Sequence, residues 1–278
     1  MTLPAFDLPQ KDGRHCAVRV AAPAGPVPAG GWPVAYVLDL KQFDMMCADP
    51  GGLPGVLVGL GPAVPEDRRR DYVPAGWGRI HAPASEAGDD AVATAGRLHT
   101  GAARWLRVLD QVRARIDAEW HPDPHRQVLC GHSLGALFAL YVLTHRPRAF
   151  DGYVLSSPSV WWGNRYAARL LRRRRAWLCA QGLPALGMRL TVGEYEQGLA
   201  PAEHGSSVDD AERARRLHMR QTRAMVDGMQ GLAAGFACCP GLRLETAVLA
   251  GHTHSTAPQD ALMPGWRWLL AAGEPPTS

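Results

Sequence analysis

Lysine is nearly missing from this chain: of its 30 basic residues only Lys11 and Lys41 are lysines, and the net charge is a modest +4. No basic stripe interleaved with aromatics accompanies the arginines, which argues against nucleic acid as a partner. No apolar run is long enough to cross a bilayer. The N-terminal segment, Met1-Thr2-Leu3-Pro4-Ala5-Phe6-Asp7, lacks the basic and apolar regions of a secretion signal. The expectation is a cytoplasmic protein with no membrane partner, or a periplasmic one if a signal has been removed. Cys-x-x-Cys pairs are also absent. Cys16, Cys47, Cys130, Cys179, Cys238 and Cys239 show no zinc-ligand spacing, so reduced core thiols are expected in place of a disulfide framework or a metal site.

What is present suffices for a large core. The chain has 278 residues, 46% of them hydrophobic, and one α/β domain over residues 1–278 is expected. Short apolar runs at 16–21, 33–39, 56–60, 128–130, 153–155, 188–192 and 242–249 read as strands. Helical spacing recurs at 99–119, 136–143, 164–181 and 208–234, and in a C-terminal segment holding Trp266 and Trp268. A loop is expected from Leu40-Lys41-Gln42, and another over 75–96 that borders the site. Strand and helix alternate from Val34 onward, which predicts a mostly parallel central sheet with helices on both faces.

One stretch carries chemistry. Val128-Leu129-Cys130 leads into Gly131-His132-Ser133-Leu134-Gly135, and an almost wholly apolar helix follows. In a strand, sharp turn, helix of this kind the serine hydroxyl is lifted above the sheet, and glycines flank it because side chains would strike the neighbouring strand and helix. Ser133 is thus the candidate nucleophile, and the backbone N–H of Leu134 a donor to an oxyanion forming beside it. A second donor is expected at the end of the 33–39 strand, from Leu40 or Lys41. Asp39 precedes the serine, so it is read as a loop-fixing carboxylate that accepts backbone N–H bonds.

A serine hydroxyl needs a base, and the base needs an acid to orient it. Two histidines, His252 and His254, follow the last strand. They could together hold a metal, but no carboxylate or cysteine cluster joins them in sequence. His254, further out in the loop, is preferred as base over His252. The acid is expected between serine and histidine in chain order, and Glu194 and Glu196 stand at the end of the 188–192 strand. Glu196 is preferred. The run Arg172 to Arg175 reads as a solvated helix face.

The blocks 33–39, Asp71-Tyr72-Val73-Pro74, Gly131 to Phe138, Ser156 to Trp162, Gly193-Glu194-Tyr195-Glu196 and Gly251-His252-Thr253-His254 resemble those of the esterase D-like α/β hydrolases, most nearly the enterobactin-type siderophore esterases. The resemblance implies an α/β-hydrolase fold and hydrolysis of carboxylic esters through an acyl-enzyme, without metal or organic cofactor. It favours Ser133, His254 and Glu196 as the catalytic set, although some siderophore esterases resemble a Ser-His dyad. Where that family often has Asp-Gly-Asn, this chain has Asp39-Leu40-Lys41. The implied partner is a small-molecule ester, a ferric catecholate siderophore above all, with a general carboxylesterase or thioesterase, or a non-catalytic siderophore-binding protein, as alternatives. A bulky anion of this kind would be attracted by Lys41 and Arg70, or by Arg68 and Arg69, and its rings could stack on Trp161 and Trp162.

Overall fold

Alternation within the central strands decides the layering. In β3 (Trp32–Leu38) the side chains of Val34, Tyr36 and Leu38 enter one apolar cluster, while Ala35 and Val37 enter another on the opposite face of the sheet. Leu129 and Cys130 of β5 (Pro122–His132) divide in the same way, as do Tyr153 and Val154 of β6 (Gly152–Ser156). A strand apolar on both faces can only sit between two helical layers. The structure, a computed structural model, describes residues 4–74, 101–183, 186–204 and 209–271. The loop read over 75–96, and the helix starts read at 99 and 208, fall outside the described residues.

The remaining strands are β1 (Ala5–Pro9), β2 (His15–Ala21), β4 (Val56–Pro62), β7 (Gly187–Gly193) and β8 (Arg243–Leu249). Together the eight form one sheet in the order β1-β2-β4-β3-β5-β6-β7-β8. β2 runs antiparallel to β1 and to β4, and every pairing from β4 through β8 is parallel. The larger cluster is covered by α3 (Gly101–Trp120), α4 (Leu134–His145), α5 (Trp162–Ala180) and α8 (Met225–Phe236). The smaller is covered by α1 (Leu40–Cys47) and α9 (Ala257–Ala271), which supply Phe43, Met46, Leu262, Met263 and Trp266. Short α2 (Arg68–Asp71) and α6 (Pro201–His204), and α7 (Asp210–Arg223), complete the described α-helices. None of them is long and apolar enough to cross a membrane.

Several expectations are corrected. Leu40-Lys41-Gln42 opens helix α1 where a loop was expected, because Phe43 and Met46 find a bed on β4: the Phe43 ring lies directly over Gly59, where a Cβ would come within 2.5 Å of it. β1 was not expected at all; it is a short half-exposed edge strand whose pattern carries little apolar signal. The helix read over 208–234 is two helices, α7 and α8, broken at Ala224, which adopts φ 46° and ψ 55°. Helix α5 begins at Trp162, with Gly163, Asn164 and Arg165 all at positive φ before regular turns set in. Within it Arg172, Arg173 and Arg175 are solvent-exposed, while Arg174 stacks on Trp177 and donates to the Thr144 carbonyl.

A buried charge network closes the β2 side of the sheet. Asp71, fully buried, receives Arg14 Nη1 at 2.7 Å and is also bonded by Arg104, which reaches Asp12 as well. Next in sequence, Tyr72 packs between Trp105 and Phe138 and points its hydroxyl at Asp39.

Candidate active site

Three adjacent parallel strands, β3, β5 and β6, each end in a non-glycine residue forced to positive φ: Asp39 at 86°, Ser133 at 57° and Ser157 at 46°. Such backbone costs of order 1–3 kcal/mol per residue and persists only where the surroundings overdetermine it. At Ser133 the overdetermination is visible. Its N–H donates to the Ser156 carbonyl of β6, and its carbonyl accepts from Leu137 in α4 and from Ser159. A Cβ on Gly131 would lie 2.6 Å from the Gly135 backbone, and one on Gly135 3.1 Å from Leu38 Cβ. The turn is therefore as tight as the sequence pattern predicts, with the helix pressed on the strand before it.

Helix α4 that follows is buried from Gly135 to Leu140 and again from Val142 to Thr144. Its first N–H groups, beginning at Leu134 directly after the serine, have no preceding turn to donate to. Helix α1 repeats the arrangement one strand away: Asp39 stands at its cap, and its first N–H belongs to Leu40. Two helix N-termini thus flank the end of β3 and β5, a setting in which developing negative charge is stabilised.

The imidazole and the carboxylate arrive from β7 and β8. His254 Nε2 lies 3.0 Å from Ser133 Oγ, and His254 Nδ1 lies 2.6 Å from Glu196 Oε2. Glu196 is 4% exposed, and its other oxygen accepts the Gly193 N–H at 2.8 Å and the Ser157 hydroxyl at 2.5 Å. The structure thus brings Ser133, His254 and Glu196 into one hydrogen-bonded line. With Glu196 accepting at Nδ1–H, the Nε2 lone pair faces the serine hydroxyl, which donates to it.

The alternatives are occupied elsewhere. Glu194 accepts the Gly251 N–H at 2.8 Å and so latches the histidine loop, and His252 Nε2 faces Asp260 at 2.9 Å. Tyr195 N–H donates to the His252 carbonyl, and a Cβ on Gly193 would come within 2.6 Å of that same oxygen. Only glycine allows the two strand-end loops to close on one another here.

Two neighbours escaped the sequence reading. Ser157 is one; Ser159, whose Oγ lies 3.2 Å from Ser133 Oγ, is the other. Both belong to the Ser156-Ser157-Pro158-Ser159 run, in which nothing local separates a serine aimed at the site from one facing solvent. His132, just before the nucleophile, is buried with its ring 4.5 Å from that of His254. Burial first, and the neighbouring His254 second, push its pKa well below the ordinary histidine value, so a neutral ring underlies His254.

Asp39 departs from its expected role in detail. Its carboxylate is held by side chains in place of backbone: the Tyr72 hydroxyl donates to Oδ1 at 3.1 Å, and Arg68 Nε lies 2.9 Å from Oδ2. Burial pushes its pKa up to about 6, against the opposing pull of Arg68 and Tyr72. Among the residues expected to meet substrate, Lys41 is exposed on the first turn of α1. Arg70 is instead engaged by Asp67 at 2.5 Å and by Asp71 at 3.6 Å. Trp161 and Trp162 sit half-buried against the larger cluster with ring centroids 5.3 Å apart, and Arg223 lies over the Trp161 ring at 4.8 Å.

Comparison with known proteins agrees with this architecture. A family profile described as serine aminopeptidase S33 (Hydrolase_4) matches residues 95–237, just over half of the chain. The ferri-bacillibactin esterase BesA of Bacillus subtilis is 28% identical over 244 residues, covering 82% of this chain and 78% of that protein. A siderophore enterobactin esterase of Emericella nidulans is 32% identical over 181 residues, 62% of this chain and 57% of its own length. The solved structure of the siderophore hydrolase EstA from Aspergillus nidulans superposes with a TM-score of 0.77 at 23% identity, covering 98% of this chain and 95% of that one, a likeness of fold. Fold and family profile agree: this chain is an α/β hydrolase and belongs to the serine aminopeptidase S33 family.

Proposed function

We propose that this protein is a serine esterase that hydrolyses the ester bonds of siderophores, with enterobactin-like trilactones as the substrate class. The observation that carries the reading is the line Ser133–His254–Glu196 at the C-terminal edge of the parallel strands, with the N-termini of α1 and α4 beside it. In this reading His254 Nε2 takes the Ser133 proton as Oγ attacks the ester carbonyl. The oxyanion is met by the N–H groups of Leu134 and Leu40. His254 then returns the proton to the departing alkoxide, leaving the acyl group on Ser133, and water repeats the cycle in reverse. Glu196 holds the imidazole in the correct tautomer and stabilises its charged form.

Siderophore esters as substrates are supported by what the relatives in Bacillus and Emericella are named for and by the charge around the site. Arg68 and Lys41 are close enough to His132 to bear on its proton affinity, and Arg223 lies over Trp161. Such a rim suits an anion carrying aromatic rings better than the ammonium group of an aminopeptidase substrate. The test is a fluorophosphonate probe followed by turnover on a panel of aryl esters, thioesters and catecholate trilactones. Labelling at Ser133, lost in Ser133→Ala, with trilactones the fastest substrates, is expected. A folded protein that resists labelling would overturn hydrolysis, and small esters turning over faster than trilactones would move the assignment to a general carboxylesterase.

A further inference from the structure

Three cysteines that spacing scatters through the chain converge at the edge of the sheet away from Ser133. Cys179 lies in the last turn of α5, and Cys238 and Cys239 follow directly on α8. Their Sγ atoms all lie within 4.8 Å of one another, Cys179 and Cys239 at 3.0 Å, and all three are free thiols. Backbone bonds fix the setting: Leu183 N–H donates to the Pro240 carbonyl and Leu242 N–H to that of Cys239, just before β7 and β8 begin. Among the described residues this is the one group of three ligating side chains gathered so closely.

The chemistry of the donors is uniform: three sulfurs, a set that selects soft d10 cations over calcium or magnesium. A tetrahedral site with metal–sulfur bonds of about 2.3 Å has sulfur–sulfur edges of about 3.8 Å. Cys179 and Cys239 would therefore part by less than about 1 Å to admit an ion. The local field has the right sign. Helices α5 and α8 both end here, and the partial negative charge of two helix C-termini favours a cation and opposes bare thiolates. The Cys179 and Cys238 thiols point at main-chain carbonyls, of Cys238 and Gly235 respectively. Cys239 is buried, Cys179 half-buried and Cys238 exposed, so the cluster has a solvent side through which an ion can enter and where a fourth ligand can stand.

We propose that Cys179, Cys238 and Cys239 form a binding site for a thiophilic divalent cation, Zn2+ or Cd2+, with the fourth position open to water. Each thiol releases its proton to solvent as its sulfur–metal bond forms, and no atom changes oxidation state. The bound ion ties the end of α5 to the end of α8 and acts on stability, not on hydrolysis.

The experiment is a Cd2+ titration of the full chain, kept reduced with a phosphine, following the ultraviolet sulfur-to-cadmium charge-transfer absorption and the melting temperature. The expected result is saturation at one ion per chain with a raised melting temperature. Cys179→Ser and Cys238→Ser should each weaken binding by more than about tenfold, while Cys47→Ser leaves it unchanged. Cys238 is exposed, so its variant should fold even if substitutions deeper in the cluster do not. Absence of the charge-transfer band at stoichiometric Cd2+, or a band that survives both substitutions, overturns the site.

Discussion

Glu196 holds its orientation through three donors, the Gly193 N–H, the Ser157 hydroxyl and the His254 ring N–H. Ser157 is thus a positioning residue, and its backbone at positive φ makes glycine the informative substitution. Ser157→Gly should lower kcat by roughly tenfold, the worth of one hydrogen bond to a charged group, with KM for a small aryl ester unchanged. Steady-state kinetics decide it; an unchanged kcat means that Gly193 and His254 hold the carboxylate unaided. Asp39 offers a pH test. Its folded pKa is pushed up to about 6, against about 3.9 for a free aspartate, so between those values the folded protein keeps a proton that the unfolded chain has lost. The contribution is fully present below about pH 4 and is lost as pH rises through about 6. Relative to Asp39→Asn, the wild type should lose on the order of 3 kcal/mol of stability from about pH 4 to about pH 7. Urea melts at both pH values measure this, and a pH-independent difference would show that the carboxyl ionises freely. At this scale Ser133, His254 and Glu196 are legible in the sequence because each stands just past a short apolar run. Ser157 and Ser159 are not, because what marks them is a contact across the sheet.

The serine turn and the helix break at Ala224 sit at opposite ends of what patterning can reveal. Gly131 is readable as obligatory, and the structure gives the reason in the 2.6 Å approach of the α4 backbone. Gly131→Ala should therefore destabilise the protein by about 1–3 kcal/mol, the ordinary range for overpacking, and reduce expression of the folded form. Ala224 is unreadable, since an alanine amid helical spacing carries no sign of a left-handed turn. Its buried Cβ is held at φ 46°. Ala224→Gly should raise stability, by up to about 1 kcal/mol, a shift that thermal melts can resolve. A loss in its place would mean that the glycine's greater chain entropy outweighs the relieved strain. Helix α1 went unread for a related reason: eight residues are too few for periodicity to stand out, and only the bed of β4 reveals why Phe43 and Met46 turn inward.

At the scale of the molecule, the layering of helices on both faces follows from runs apolar on both faces and is legible in the sequence, whereas the strand order, with β4 between β2 and β3, rests on pairings between distant segments and is not. The cysteine cluster is not, because it joins segments about 60 residues apart, a separation no local pattern spans. Lys41, exposed on the first turn of α1, predicts a long-range effect. With an anionic catecholate ester kcat/KM should fall as salt is raised from low to physiological ionic strength, whereas a neutral aryl ester should show little change. Equal salt dependence for both substrates would mean that the rim does not steer them. One feature of the sheet sets how the enzyme fails. β8, its last strand, has none of its residues buried, and Val248 is 43% exposed, yet the loop just beyond it carries His254. Fraying at that border would withdraw the imidazole while the turn at Ser133 and the N-termini of α1 and α4 stay intact, so the protein would fall silent before it unravels. In a urea series, ester cleavage and fluorophosphonate uptake should both vanish at concentrations where circular dichroism still reports a folded chain.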